Sequence, residues 1–199
     1  MKIAILGGSF DPPHMGHLLV AQQVKKFLNI DQIWLMSTYS HPFNKKLSPA
    51  KHRLSMVKLL EDETIKASDF EIQKKGVSFT IDTLKNLTKT YPQHVFYWVA
   101  GSDQIMDLPK WKNWEELIRN YKIIIYARDA EKHIIENEIK YILNLEQIPN
   151  SLFILATKDL PTMNISSSTV REKIKRHESI RGLVPKKVEE YILEHDLYK

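Results

Sequence analysis

Two imidazoles three residues apart, His14 and His17, stand at the start of a helix-forming run, just after a glycine pair. The whole stretch reads Gly7-Gly8-Ser9-Phe10-Asp11-Pro12-Pro13-His14-Met15-Gly16-His17. Histidines spaced three apart on a helix share one face. There they could donate hydrogen bonds to a phosphate, or they could ligate a metal ion. A third ligand with comparable placement is missing, which weakens the metal reading without removing it. The apolar run Ile3-Ala4-Ile5-Leu6 precedes the stretch and reads as a buried strand, and Leu18 to Val24 follows with the apolar density of a helix. Where a strand gives way to a helix, backbone N–H groups and the positive end of the helix dipole favour bound phosphate. The chemistry implied is retention of a polyphosphate and stabilisation of charge developing on it.

The elements that must position this stretch alternate along the chain. Strands are predicted at 2–6, 32–36, 66–73, 94–100, 122–127 and 152–156. Helices are predicted at 15–28, 51–60, from Thr80 (as N-cap) onward, and at 113–119. A polar loop with proline spans 37–50, and 129–150 reads as a charged helix of unassigned packing. The C-terminal portion is helical: Ser167, Ser168 and Thr169 suit a helix start, and Pro185 suits the first turn of 186–193. Unbroken apolar strands alternating with helices predict an α/β fold. We expect a Rossmann-like, doubly wound parallel sheet with helices on both faces, in one domain over 1–199. Such sheets bind ligands at the carboxyl ends of their strands. That directs attention to 7–17, 37–46, 101–111 and 157–171.

Composition narrows the class. The chain has 199 residues, 43% hydrophobic and 27% charged, typical of a globular protein with a proper core. The absence of cysteine excludes disulfides, thiol catalysis and cysteine-ligated zinc, and suits a reducing cytoplasm. No signal peptide or membrane-length apolar run is present. A net charge of +5 points to anionic ligands. The basic residues are scattered rather than arranged in a stripe with aromatics, so small phosphorylated molecules are expected rather than nucleic acid. Trp111 sits in a polar segment, where it could anchor a loop or serve as an aromatic platform for a planar ring.

With these residues in place, a resemblance emerges. Residues 8–17 resemble the nucleotidyltransferase signature G-x-F-D-P-x-H-x-G-H, and Ile165-Ser166-Ser167-Ser168-Thr169-Val170-Arg171 resembles I-S-S-T-x-I-R. The segments Val77 to Leu84, Gly101-Ser102-Asp103 and Leu108 to Leu117, with the ending Leu183 to Tyr198, are similar to bacterial nicotinate-mononucleotide adenylyltransferases over nearly the whole chain. That family joins ATP to a pyridine mononucleotide, releasing pyrophosphate without a covalent enzyme intermediate.

The resemblance implies His14, His17 and Arg171 as catalytic residues. It implies an ATP site of Gly7, Gly8, Ser9, Phe10, His14, His17, Lys46, Gly101, Asp103, Ile165, Ser167, Ser168 and Arg171. The pyridine nucleotide would meet Ser9, Phe10, His41, Lys45, Thr80, Asp103 and Trp111, with Trp111 stacking on the ring and Asp103 on ribose hydroxyls. A histidine near neutral pKa could be cationic beside phosphate. Mg²⁺ is implied, carried mainly by the ATP phosphates, and a homo-oligomer is left open. One segment departs from the family: the proline-rich loop after the second strand usually ends Pro-His-Lys, but here His41 precedes Pro42. This leaves the choice between nicotinate and nicotinamide mononucleotide open. A non-catalytic nucleotide sensor on the same fold is the reading from another class.

Overall fold

The computed structural model describes residues 1–40, 46–105 and 107–199. The expected sites His41 and Lys45 lie outside them. Six strands form one parallel sheet: β1 (Lys2–Gly8), β2 (Gln32–Ser37), β3 (Ile65–Ser68), β4 (Val95–Gly101), β5 (Lys122–Ala127) and β6 (Leu152–Ala156). Their spatial order is β3-β2-β1-β4-β5-β6, so the winding direction reverses between β1 and β4. The helices are α1 (Met15–Phe27), α2 (Ala50–Lys58), α3 (Phe70–Lys74), α4 (Thr80–Thr90), α5 (Ser102–Ile105), α6 (Trp114–Asn120), α7 (Lys132–Leu143), α8 (Ser167–Lys175) and α9 (Lys186–Glu194). None of the described helices is long and apolar enough to cross a membrane.

Successive strand residues point to opposite faces, and here both faces are apolar, which is why the strands read as unbroken runs. Ile3 and Ile5 of β1, Trp98 of β4 and Ile123 and Ile125 of β5 join one cluster with Ile81, Leu84 and Leu87 of α4, Leu117 of α6 and Ile139 of α7. Ala4, Val99 and Ile124 point the other way, into a second cluster with Ala21 and Val24 of α1, Met56 and Val57 of α2, Val170 of α8 and Val188 of α9. The doubly wound architecture expected from the alternation is therefore present.

Four local expectations are corrected. The strand expected at 66–73 is only β3, ending at Ser68, followed by α3. Phe70 and Ile72 imitate strand alternation, but the residue between them, Glu71, is the buried one at 4% exposure. Its carboxylate accepts a hydrogen bond from Thr83 Oγ1 at 2.8 Å. Thr80 is the first residue of α4 rather than its cap, a position held by Phe79 in extended conformation. At α8 the cap is Ser166, whose Oγ accepts from Thr169 N at 3.0 Å. Pro185 likewise stands at the cap position of α9, one residue before the helix. The segment 129–150 holds α7, whose Ile135, Ile139 and Leu143 recur every four residues and are buried against the sheet.

Candidate active site

The glycine pair is the end of β1 and not a turn: Gly7 and Gly8 lie in register with Met36 and Ser37 of β2. Their small size serves packing. A Cβ on Gly7 would lie 2.7 Å from Cη2 and Cζ2 of Trp98, so the glycine lets the indole lie across β1. The reversal into α1 comes afterwards, through Phe10, which takes a left-handed φ of 49°. The Phe10 side chain is 1% exposed and packs in the core, its ring tilted against His17 with centroids 4.9 Å apart.

His14 caps α1 and His17 begins its second half-turn. Their rings stack at a centroid distance of 3.7 Å and an angle of 28°. The backbone N–H of His14 donates to His17 Nδ1 at 3.1 Å. That contact makes Nδ1 the acceptor, so the proton of neutral His17 resides on Nε2. Gly16 makes room for the pair, since a Cβ there would lie 3.0 Å from His14 Nδ1. His14 is 7% exposed, and its Nδ1 has no partner in the protein. Burial, aided by the nearby Arg128 cation, pushes the His14 pKa down to about 4. Burial, then His14, then Arg128 hold His17 well below the usual imidazole range. Left to the protein's own groups, both are neutral at pH 7. A phosphate would have to supply the counter-charge that raises them.

The second motif meets the first, although 155 to 160 residues separate them in the chain. Ser167 Oγ donates to Pro12 O at 2.8 Å. Arg171 Nη1 donates to Asp11 O at 2.6 Å, and its Nη2 to Ser168 Oγ at 3.2 Å. Because Ser166 does the capping, Ser167 and Ser168 are left at the first turn of α8, facing the segment that leads into α1. Ile165 is half-buried beside them, its carbonyl 3.7 Å from the Cβ position of Gly16. Asp11 is anchored from elsewhere: its carboxylate accepts from Ser48 N at 3.0 Å and from Tyr198 OH at 2.7 Å.

Beside this cluster, at the carboxyl edge of β1 and β4, opens a cleft of about 540 Å³. Gly7, Gly8, Ser9, Thr80, Asp103 and Trp111, all expected from sequence, line it together. Gly101 ends β4, with the Asp103 carboxylate folded back over it. Trp111 follows the 3₁₀ turn Leu108–Lys110, half-buried with its ring packed on the core edge. Trp114 is likewise only half-buried. Lys46 is exposed and is not among the residues lining the cleft.

Sequence reasoning missed several residues of this site. Trp98 lines the cleft from inside a strand that reads as plain core. Glu71 lines it too, its carboxyl pushed up by burial while it accepts from the Thr83 hydroxyl. Arg53, 1% exposed, lies under the site. A signal for Arg53 existed, since it falls on the helical stripe of Met56, Val57 and Leu60, where a charge is out of place. Among the described residues, no group of three or more His, Asp or Glu is placed to hold a metal.

Comparison with known proteins converges on one family. The cytidylyltransferase-like family model matches residues 5–173. A protein of Oceanobacillus iheyensis is 36% identical over 99% of this chain and 96% of its own length. One of Flavobacterium johnsoniae is 37% identical over the whole of both. Both carry the name Probable nicotinate-nucleotide adenylyltransferase. Among solved structures, the Plasmodium falciparum nicotinic acid mononucleotide adenylyltransferase complexed with NaAD superposes with a TM-score of 0.79. It is 25% identical, covering 99% of this chain and 97% of that one.

Proposed function

The chain belongs to the cytidylyltransferase-like family and, within it, to the nicotinate-nucleotide adenylyltransferases, and we propose that residues 1–199 act as one catalytic unit in the cytoplasm. It is an enzyme of NAD biosynthesis that joins ATP and nicotinate mononucleotide into nicotinate adenine dinucleotide and pyrophosphate. The 5′-phosphate oxygen of the mononucleotide attacks the α-phosphorus of ATP. The bond from that phosphorus to the β-phosphate oxygen breaks, and pyrophosphate leaves. Little covalent work falls to the protein, so catalysis is positioning and charge stabilisation.

One observation carries the assignment of roles: the start of α8 is fastened to residues 11 and 12, beside the stacked histidines. In our reading, this gathers His14, His17, Ser167, Ser168 and Arg171 around the ATP phosphates. His17 donates through Nε2 to the leaving pyrophosphate as charge builds there. Arg171 keeps guanidinium donors beyond the two it spends on Asp11 and Ser168. In the adjoining cleft, Trp111 stacks on the pyridine ring, Thr80 meets its carboxylate, and Asp103 meets ribose hydroxyls. Mg²⁺ enters with ATP as part of the substrate, which fits a described site rich in hydrogen-bond donors and without a carboxylate cluster. The scattered basic residues support small phosphorylated substrates over nucleic acid.

Labelled pyrophosphate tests this reading. The protein should release pyrophosphate from Mg·ATP only when nicotinate mononucleotide is present. It should exchange label between pyrophosphate and ATP only with the dinucleotide pathway open. Exchange with ATP alone would mean an adenylyl-enzyme intermediate, and no release at all would leave a nucleotide sensor.

A further inference from the structure

The two halves of the site have different main fasteners, linked through Ser48, which accepts from Arg53 and donates to Asp11. The phosphate half is fastened by Ser167 on Pro12 O and Arg171 on Asp11 O. The cleft half has a different fastener, the buried guanidinium of Arg53 on α2. Its Nε donates to Ser48 O at 2.9 Å, and Nη1 donates to Ser9 O at 2.8 Å and to Thr38 O at 2.7 Å. Nη2 donates to Tyr39 O at 2.9 Å. Four carbonyls from three segments thus share one planar group that has five N–H donors in a rigid fork. Ser9 and Thr38 both line the cleft, one following β1 and the other following β2. Their strands are adjacent in the sheet, and Thr38 N donates to Gly8 O at 3.1 Å. Beyond the strand ends, however, the sheet ladder no longer sets their spacing. Arg53 does so there.

We propose that Arg53 is a positioning residue for the pyridine mononucleotide: through the carbonyls of Ser9, Thr38 and Tyr39 it fixes the wall of the cleft directly, whereas it reaches the ATP phosphate half at second hand, through Ser48 and the Asp11 carboxylate. This rests on the functional reading above, and it assigns a task to a side chain that touches no substrate. Lysine carries the same charge, but it is a point donor with three protons on one nitrogen and cannot span four carbonyls.

The test compares wild type with R53K, and with R53M, which leaves no buried charge should R53K fail to fold. Titration calorimetry gives Kd for nicotinate mononucleotide and, separately, for Mg·ATP, and turnover and Tm are read alongside. The expected result is a tenfold or greater rise in Kd and KM for the mononucleotide, with the ATP constants moving less than threefold. A merely structural role would lower Tm and the active fraction and move neither Kd. That outcome overturns the proposal, as would equal shifts for both substrates or failure of both variants to fold. Wild type that binds the mononucleotide but does not turn over would refute the functional reading instead, and the Kd comparison would still judge Arg53.

Discussion

His14 illustrates how far a side chain's neighbours decide its chemistry. Exposed, an imidazole at a helix start would titrate near 6.5. At 7% exposure, with its Nδ1 unpartnered and Arg128 nearby, His14 is pushed down to about 4. The consequence for stability has a definite sign. Above pH 6.5 the residue is neutral both folded and unfolded, and the group favours neither state. Between about 6.5 and 4 the unfolded chain takes up a proton that the folded one refuses, so stability falls as pH falls. For His14 this amounts to about 2 kcal/mol by pH 5. H14Q should therefore lose less stability between pH 7 and 5 than wild type, measured by urea denaturation at both pH values. Parallel losses in the two proteins would contradict the burial argument. The motif was legible as a histidine pair. Its protonation state was not, because it depends on stacking, burial and an arginine more than a hundred residues away in the chain.

Elements place these residues, and some of their requirements could not be read locally. The alternation of strands and helices was plain from apolar runs, and the six strands fall near their expected positions. The short β3 and α3 were not, since Phe70 and Ile72 imitate a strand while Glu71 turns inward to Thr83. The glycine pair was legible as important, but its physical reason is tertiary: Gly7 clears space for Trp98 of the neighbouring strand. G7A should force that indole out of place, at a cost of about 1–3 kcal/mol in unfolding free energy. Because Trp98 lines the cleft, KM for the mononucleotide should rise as well. A variant with unchanged urea midpoint and unchanged KM would show that the ring has room to yield. Arg53 belongs to this scale too. Its partners are main-chain carbonyls, which every residue carries, so no sequence pattern announces them.

In the whole molecule, the reversal of winding between β1 and β4 decides where the site must be. Loops leaving those strands diverge to opposite faces and open a crevice at the carboxyl edge of the sheet. The segment after β1 lies at one side of it and α5 at the other. The chain then returns twice to that edge. α8 brings Ser167 and Arg171 to residues 11 and 12, and the C-terminal Tyr198 reaches the Asp11 carboxylate. Two motifs at opposite ends of the sequence become one site only through this topology. The most direct measurement is a side-by-side assay of nicotinate and nicotinamide mononucleotides with Mg·ATP, following pyrophosphate and identifying the dinucleotide by mass. The account predicts one dinucleotide formed per pyrophosphate released and a higher kcat/KM with nicotinate mononucleotide. Equal or greater efficiency with the nicotinamide compound, or pyrophosphate released without dinucleotide, would contradict it.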